Sequence, residues 1–285
     1  MTSSWVLPVL FVTGLCDGFM DSIAGGGGLI TLPVLLNLGI APELALGTNK
    51  LQATFGSGSA TWHFARAGLV DCKGYKVGVA FTAIGALVGT LLVQRLDPAI
   101  LKRLIPALLL GIALWSLLQP KMGAEDVRAP MNLNVFHLIF GLLIGFYDGF
   151  MGPGTGTFWA MAYMIGAGFN LLRATAHTKV MNLTSNLVSL ALFLSAKHVL
   201  FSAGLIMGAG QMAGARLGSA VVIKRGTRFI RPIFISAALV LTCKLLYENF
   251  SRHSPTSANG PQNGAGLAQS LPVSVFHWVR NRVAD

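Results

Sequence analysis

GFMDSIAGGGGLITLPVLLNLGIAPELALGTNKLQATFGSGSAT, residues 18 to 61, is the stretch whose reading decides the fold. It joins an apolar segment to four consecutive glycines, a short second apolar segment, and a third that carries Lys50 well past its start. A helix does not continue comfortably through Gly25 to Gly28, because each glycine costs roughly 1 kcal/mol against alanine, so the backbone is expected to open there. Leu29 to Ile40 is apolar again but falls short of the about 20 residues that a helix needs to cross a ~30 Å hydrocarbon core. It reads as a half-helix or re-entrant segment. Ala41-Pro42-Glu43 starts the next helix, with proline tolerated in a first turn and a carboxylate favourable at the positive helix end.

Half a chain later the pattern returns. Residues 145 to 190 read GFYDGFMGPGTGTFWAMAYMIGAGFNLLRATAHTKVMNLTSNLVSL, with a break at Gly152 to Gly156 and a lysine at Lys179. Gly18, Phe19 and Asp21 align with Gly145, Phe146 and Asp148 at an offset of 127, which becomes 129 where Thr48-Asn49-Lys50 meets His177-Thr178-Lys179. The chain is therefore expected to hold two homologous halves: residues 1–120, a polar linker 121–132, residues 133–250, and a C-terminal tail 251–285 rich in Ser, Pro, Gly, Asn and Gln. That tail is expected to be mobile, with a short interfacial helix possible over Leu271 to Val283.

Composition sets the class. Apolar residues make up 53% of the 285 and charged residues 11%, against about 25% charged in soluble domains. The apolar residues come in long uncharged runs, so the expected fold is all-α: a polytopic transmembrane helical bundle of about eight spans with glycine-broken half-helices. The further spans are read at Gly78 to Val93, Ile100 to Leu118, Val199 to Ile223 and Phe229 to Tyr247. The net charge of +11 comes largely from basic residues flanking the apolar runs, as in cytoplasmic loops, which argues against nucleic acid. Loops 66–76 and 94–103 hold three basic residues each on opposite sides, so charge does not orient the first half, and a parallel or an inverted relation of the halves stays open. Cys16, Cys72 and Cys243 are too few and scattered for a disulfide framework or a metal site, and no metal or cofactor is expected.

Two features carry the chemistry. A half-helix that starts inside a membrane presents unpaired N–H groups and the positive end of its dipole, an arrangement suited to an anion, and glycine lets the ligand approach that backbone. Gly25, Gly26, Gly27, Gly28, Gly154, Thr155 and Gly156 are the candidates, although membrane glycines also serve close helix crossing. Lys50 and Lys179 are the second feature. A lysine inside an apolar helix costs about 2.5–3.5 kcal/mol and normally faces a polar cavity or an ion partner, with snorkelling to the interface as the alternative. Asn49, Gln52, Asn182 and Asn186 would orient a substrate, together with Thr48, Thr178 and Ser185. Asp21 and Asp148 could cap the half-helices, pair with the lysines, or carry protons. His177 either tunes binding or packs. GGGG lacks the Gly-Lys-Ser/Thr ending of a phosphate loop, and no nucleophile and base pair suggests an enzyme.

The paired signatures GFMDSIAGGGG with GTNKLQATFGS, and GFYDGFMGPGTG with ATAHTKVMNLTSN, resemble the TauE/SafE-type sulfite exporter family, also called the toluene sulfonate uptake permease family. The resemblance covers about residues 8 to 250. It implies a multi-pass transporter of the cytoplasmic (inner) membrane, acting on sulfite, organosulfonates or related small anions, with the bilayer and the anion as partners and a homodimer as a possible assembly. The second break reads GPGTG where the first reads GGGG, so the two half-sites need not be equivalent. A passive anion channel and a non-transporting membrane scaffold are the competing readings: flux without saturation or coupling to a proton gradient would mark the channel, and replacing both lysines by methionine separates the scaffold from a transporter.

Overall fold

The structure, a computed structural model, describes residues 6–70, 75–118 and 126–225. These form nine α-helices and no strand: α1 (Val6–Ala24), α2 (Thr31–Asn37), α3 (Pro42–Arg66), α4 (Lys76–Val93), α5 (Pro98–Leu118), α6 (Leu133–Phe150), α7 (Thr155–Gly166), α8 (Leu171–Ser195) and α9 (Phe201–Arg225). The expected span at Phe229 to Tyr247, the tail, Cys72, Cys243 and residues 121–125 of the linker lie outside the described residues.

Local chemistry explains the boundaries. α1 stops at the glycine run, where Gly25 and Gly28 adopt φ of +71° and +82°, a left-handed conformation that side chains with a Cβ rarely take. α2 has 7 residues, a rise of roughly 10 Å that cannot span a bilayer. α3 opens with Pro42 and Glu43 in its first turn. In the second part of the chain Asn132 and Asn170 cap α6 and α8 through their side chains.

Four of these helices are long and apolar enough to cross a membrane: the spans are Val6–Ile23, Lys76–Val93, Leu133–Phe150 and Phe201–Lys224. α3 and α8 run for 25 residues each, roughly 37 Å. Their apolar character is diluted by an inward polar row, Thr48, Asn49, Lys50 and Gln52 on one and Thr178, Lys179, Asn182 and Ser185 on the other, all buried. The outer faces carry Trp62, Ile84, Leu143, Leu205 and Leu217, each more than half or close to half exposed, as side chains in contact with lipid tails would be.

The helices pack in an interlocked order. α9 lies along α1 and also touches α3, while α4 lies along α6 and also touches α8, and α3 packs against α8 at the centre. Glycines make the two long seams. A Cβ at Gly14 or Gly18 of α1 would overlap the backbone of Met207 or Gln211, and one at Gly210, Gly214 or Gly218 of α9 would overlap that of Phe11, Leu15 or Phe19. Gly85 and Gly89 of α4 face Leu142 and Phe146 of α6, and Gly145 and Gly149 face Thr82 and Ala86 in return. Small residues at such seams let helix backbones touch, which is the main source of association where lipid offers no hydrophobic drive. α4 of the first sequence segment thus packs against α6 of the second, and α9 of the second against α1 of the first.

Candidate functional site

The two glycine breaks meet. A Cβ on Gly25 would overlap the Gly156 and Thr157 backbone, and one on Gly156 would overlap Gly25. The Gly154 amide points at the Gly27 carbonyl at 3.4 Å. The ends of α1 and α6 and the start of α7 are thereby gathered beside the polar rows of α3 and α8.

Both lysines are fully inside, Lys50 at 2% and Lys179 at 0% relative exposure, so neither snorkels. Lys50 Nζ on α3 donates to the Asp148 Oδ1 carboxylate oxygen at 2.7 Å, to the Asp148 carbonyl at 2.6 Å and to Asn186 Oδ1 at 3.2 Å. Lys179 Nζ on α8 lies 3.0 Å from Asp21 Oδ2 and also donates to the Asp21 carbonyl. Each lysine therefore grips the aspartate near the C-terminal end of the broken helix from the other sequence segment. The arrangement is doubly favourable, since the ammonium meets both a carboxylate and the negative end of a helix dipole. Ser185 donates to the second carboxylate oxygen of Asp148.

The first break is capped from within. The Gly27 amide donates to Asp21 Oδ1 at 3.1 Å, and the Gly28 amide to Asp17 at 3.1 and 3.2 Å. Asp17, at 0% exposure, also accepts from Gln211 Nε2 of α9 at 3.2 Å and, at 3.5 Å, from Gln52 Nε2 of α3. The sequence reading expected these amides to face a ligand; aspartates of the preceding helix occupy two of them instead. Asp17 and Gln211 are the residues of the candidate site that sequence reasoning missed. The available signal was their isolation: Asp17 lies one turn before Asp21 in an apolar helix, and Gln211 is a lone amide in a glycine-rich one.

Between these groups lies a recess enclosing about 320 Å³ of non-atom space, the solvent at its mouth included. Of the residues singled out from sequence, Gly25, Gly27, Asn49, Lys50, Asn182 and Asn186 line it, as do Asp21, Asp148, Thr155 and Gly156. Ala53, Gly152 and Gln211 complete the wall. Gly26, Gly28, Gln52, Gly154, His177 and Lys179 are not on the wall. Gln52 sits behind it, donating to Thr31 Oγ1 at 2.6 Å and to Asn49 Oδ1 at 3.0 Å. Lys179 is behind Asp21.

His177 belongs to a separate cluster. Its Nε2 is 3.1 Å from the Tyr75 hydroxyl, and the His137 Nε2 is 3.2 Å from that of Tyr163. The ring of Phe169 covers His177 at a centroid distance of 4.8 Å. No group of three or more His, Cys, Asp or Glu side chains suited to a metal occurs among the described residues.

Comparison with known proteins adds the family context. A family model described as sulfite exporter TauE/SafE matches residues 10–245. The chain is 45% identical over 249 residues to "Probable membrane transporter protein YfcA" of Escherichia coli K12, covering 87% of this chain and 93% of that one. It is 44% identical over 243 residues to "Probable membrane transporter protein" of Haemophilus influenzae, covering 85% and 95%. No solved structure gives a significant match.

Proposed function

Because the chain belongs to the sulfite exporter TauE/SafE family of membrane transporters, we propose that it moves a small sulfur-containing anion across the cytoplasmic membrane as a secondary transporter, in the outward direction that the family's description carries. Sulfite, an organosulfonate or a related oxyanion is the substrate class. The observation that carries this reading is the pair of lysines, buried at 2% and 0%, converging with amide side chains where two broken helices meet. Buried cations are costly, so their presence argues for a charge they serve.

In this reading Lys50 is the primary counter-charge, because it lines the recess, and Lys179 enters as Asp21 moves. Asn49, Asn182 and Asn186 supply neutral hydrogen bonds, while Gly25 and Gly156, and Gly27 once Asp21 leaves its amide, let oxygen atoms of the anion reach the backbone. The reciprocal grip of each lysine on the other segment's aspartate supports two homologous halves, and rocking of one against the other would give alternating access. Several helices with lipid-facing side chains support a multi-pass membrane protein, for which the inner membrane is our proposal.

The test is a thermal-shift titration of the purified protein with sulfite, thiosulfate, sulfate, taurine and sulfoacetate, on wild type and Lys50→Met. Stabilisation by one anion that vanishes in the variant supports both the class and the site. Absence of any response in folded wild-type protein would count against the proposal.

A further inference from the structure

The recess is closed to an anion by its own charges. Asp21 on α1, Lys50 on α3 and Asp148 on α6 line it, while Lys179 on α8 stands behind Asp21 and Asp17 on α1 behind Gln211. Two further helices contribute neutral groups to its wall, Gln211 from α9 and Thr155 with Gly156 from α7. His177, two residues before Lys179, hydrogen-bonds Tyr75 instead. With all five groups ionised, three carboxylates outnumber two ammonium groups. The three acceptors around Lys50 Nζ match its three N–H donors, so it has none left to offer.

Asp17 makes the excess. It hydrogen-bonds a backbone amide and two neutral carboxamides, and no ion pair to it occurs among the described residues. At the offset of 127 its counterpart in the second segment is Ile144, and at the offset of 129 the counterpart of Gln52 is Met181. A third buried carboxyl group without an ion pair is thus a feature of the first segment alone among the described residues.

Resting on the reading of the recess as an anion site, we propose that anion binding here is linked to proton uptake by a carboxylate of the recess. An entering anion takes the ammonium of Lys50 from Asp148, or that of Lys179 from Asp21. The displaced carboxylate then binds a proton from solvent, forming one O–H bond, while the lysine keeps its own proton throughout. Without that proton the displaced aspartate would be an unpaired charge inside the bundle, next to the anion, which is the more costly outcome.

The experiment is isothermal calorimetry on the full-length protein in detergent, with thiosulfate first and then each other anion of the panel, between about pH 6 and about pH 8. Affinity is expected to fall about tenfold per pH unit for each proton taken up. The binding heat should also scale with the ionisation enthalpy of the buffer. Asp148→Asn, which imitates the protonated carboxyl, should bind more tightly at the alkaline end and lose one proton of linkage; the wild-type buffer series decides the matter alone if that variant does not fold. Anion binding with flat pH dependence and no buffer effect would overturn the linkage and leave the transport reading standing. So would tightening by sodium at fixed pH with no proton taken up. Failure of every anion at every pH would instead bring down the anion site itself.

Discussion

At the scale of single residues, the strongest consequence of the structure concerns what each lysine protects. Lys50→Met removes the partner of a buried Asp148, and stranding such a charge typically costs about 3–5 kcal/mol. The variant should melt well below wild type in the absence of any anion. Lys50→Met combined with Asp148→Asn removes both charges and should recover most of that melting temperature without recovering a response to anions. Thermal melts with and without ligand check both statements, and equal melting of the single and double variants would show that the pair carries no such role. The lysines and Asp21 and Asp148 were legible in the sequence because a charge in an apolar run has to be answered. Which aspartate answers which lysine was not, since the pairing crosses between segments 98 and 158 residues apart. The capping of the Gly28 amide by Asp17 was hidden for a similar reason: it depends on the chain doubling back at the break.

At the scale of elements, length and apolar runs located the helices, and the glycine clusters located the breaks. The seams were harder to read, because a glycine that packs against a neighbour looks the same in sequence as one that faces nothing. Gly214 of α9 meets the Leu15 backbone, whereas Gly111 of α5 has, among the described residues, nothing within 4 Å of a Cβ built there. Gly214→Val should therefore push α9 off α1 and lower thermal stability markedly. Gly111→Ala should leave the protein unchanged or up to about 1 kcal/mol more stable, through helix propensity alone. Melting curves of the two variants side by side test this, and a benign Gly214→Val would mean the seam is looser than its geometry indicates.

At the scale of the whole molecule, the sequence divides more cleanly than the fold does. Residues 1–120 and 133–250 read as two units, yet α9 packs on α1 and α3 while α4 packs on α6 and α8. Separate expression of residues 1–120 should give a fragment that does not resist protease, whereas co-expression with residues 121–285 should yield a complex that co-purifies and melts cooperatively. A first fragment that folds alone would contradict this. The interlock also bears on how the protein is made. α1 leaves the ribosome well before α9, the helix that closes against its glycine seam, so α1 must wait in the bilayer while the helices between them are made. A stalled or truncated chain would display that unfilled seam to the cell's membrane proteases, which gives quality control a direct way to tell a finished molecule from an unfinished one.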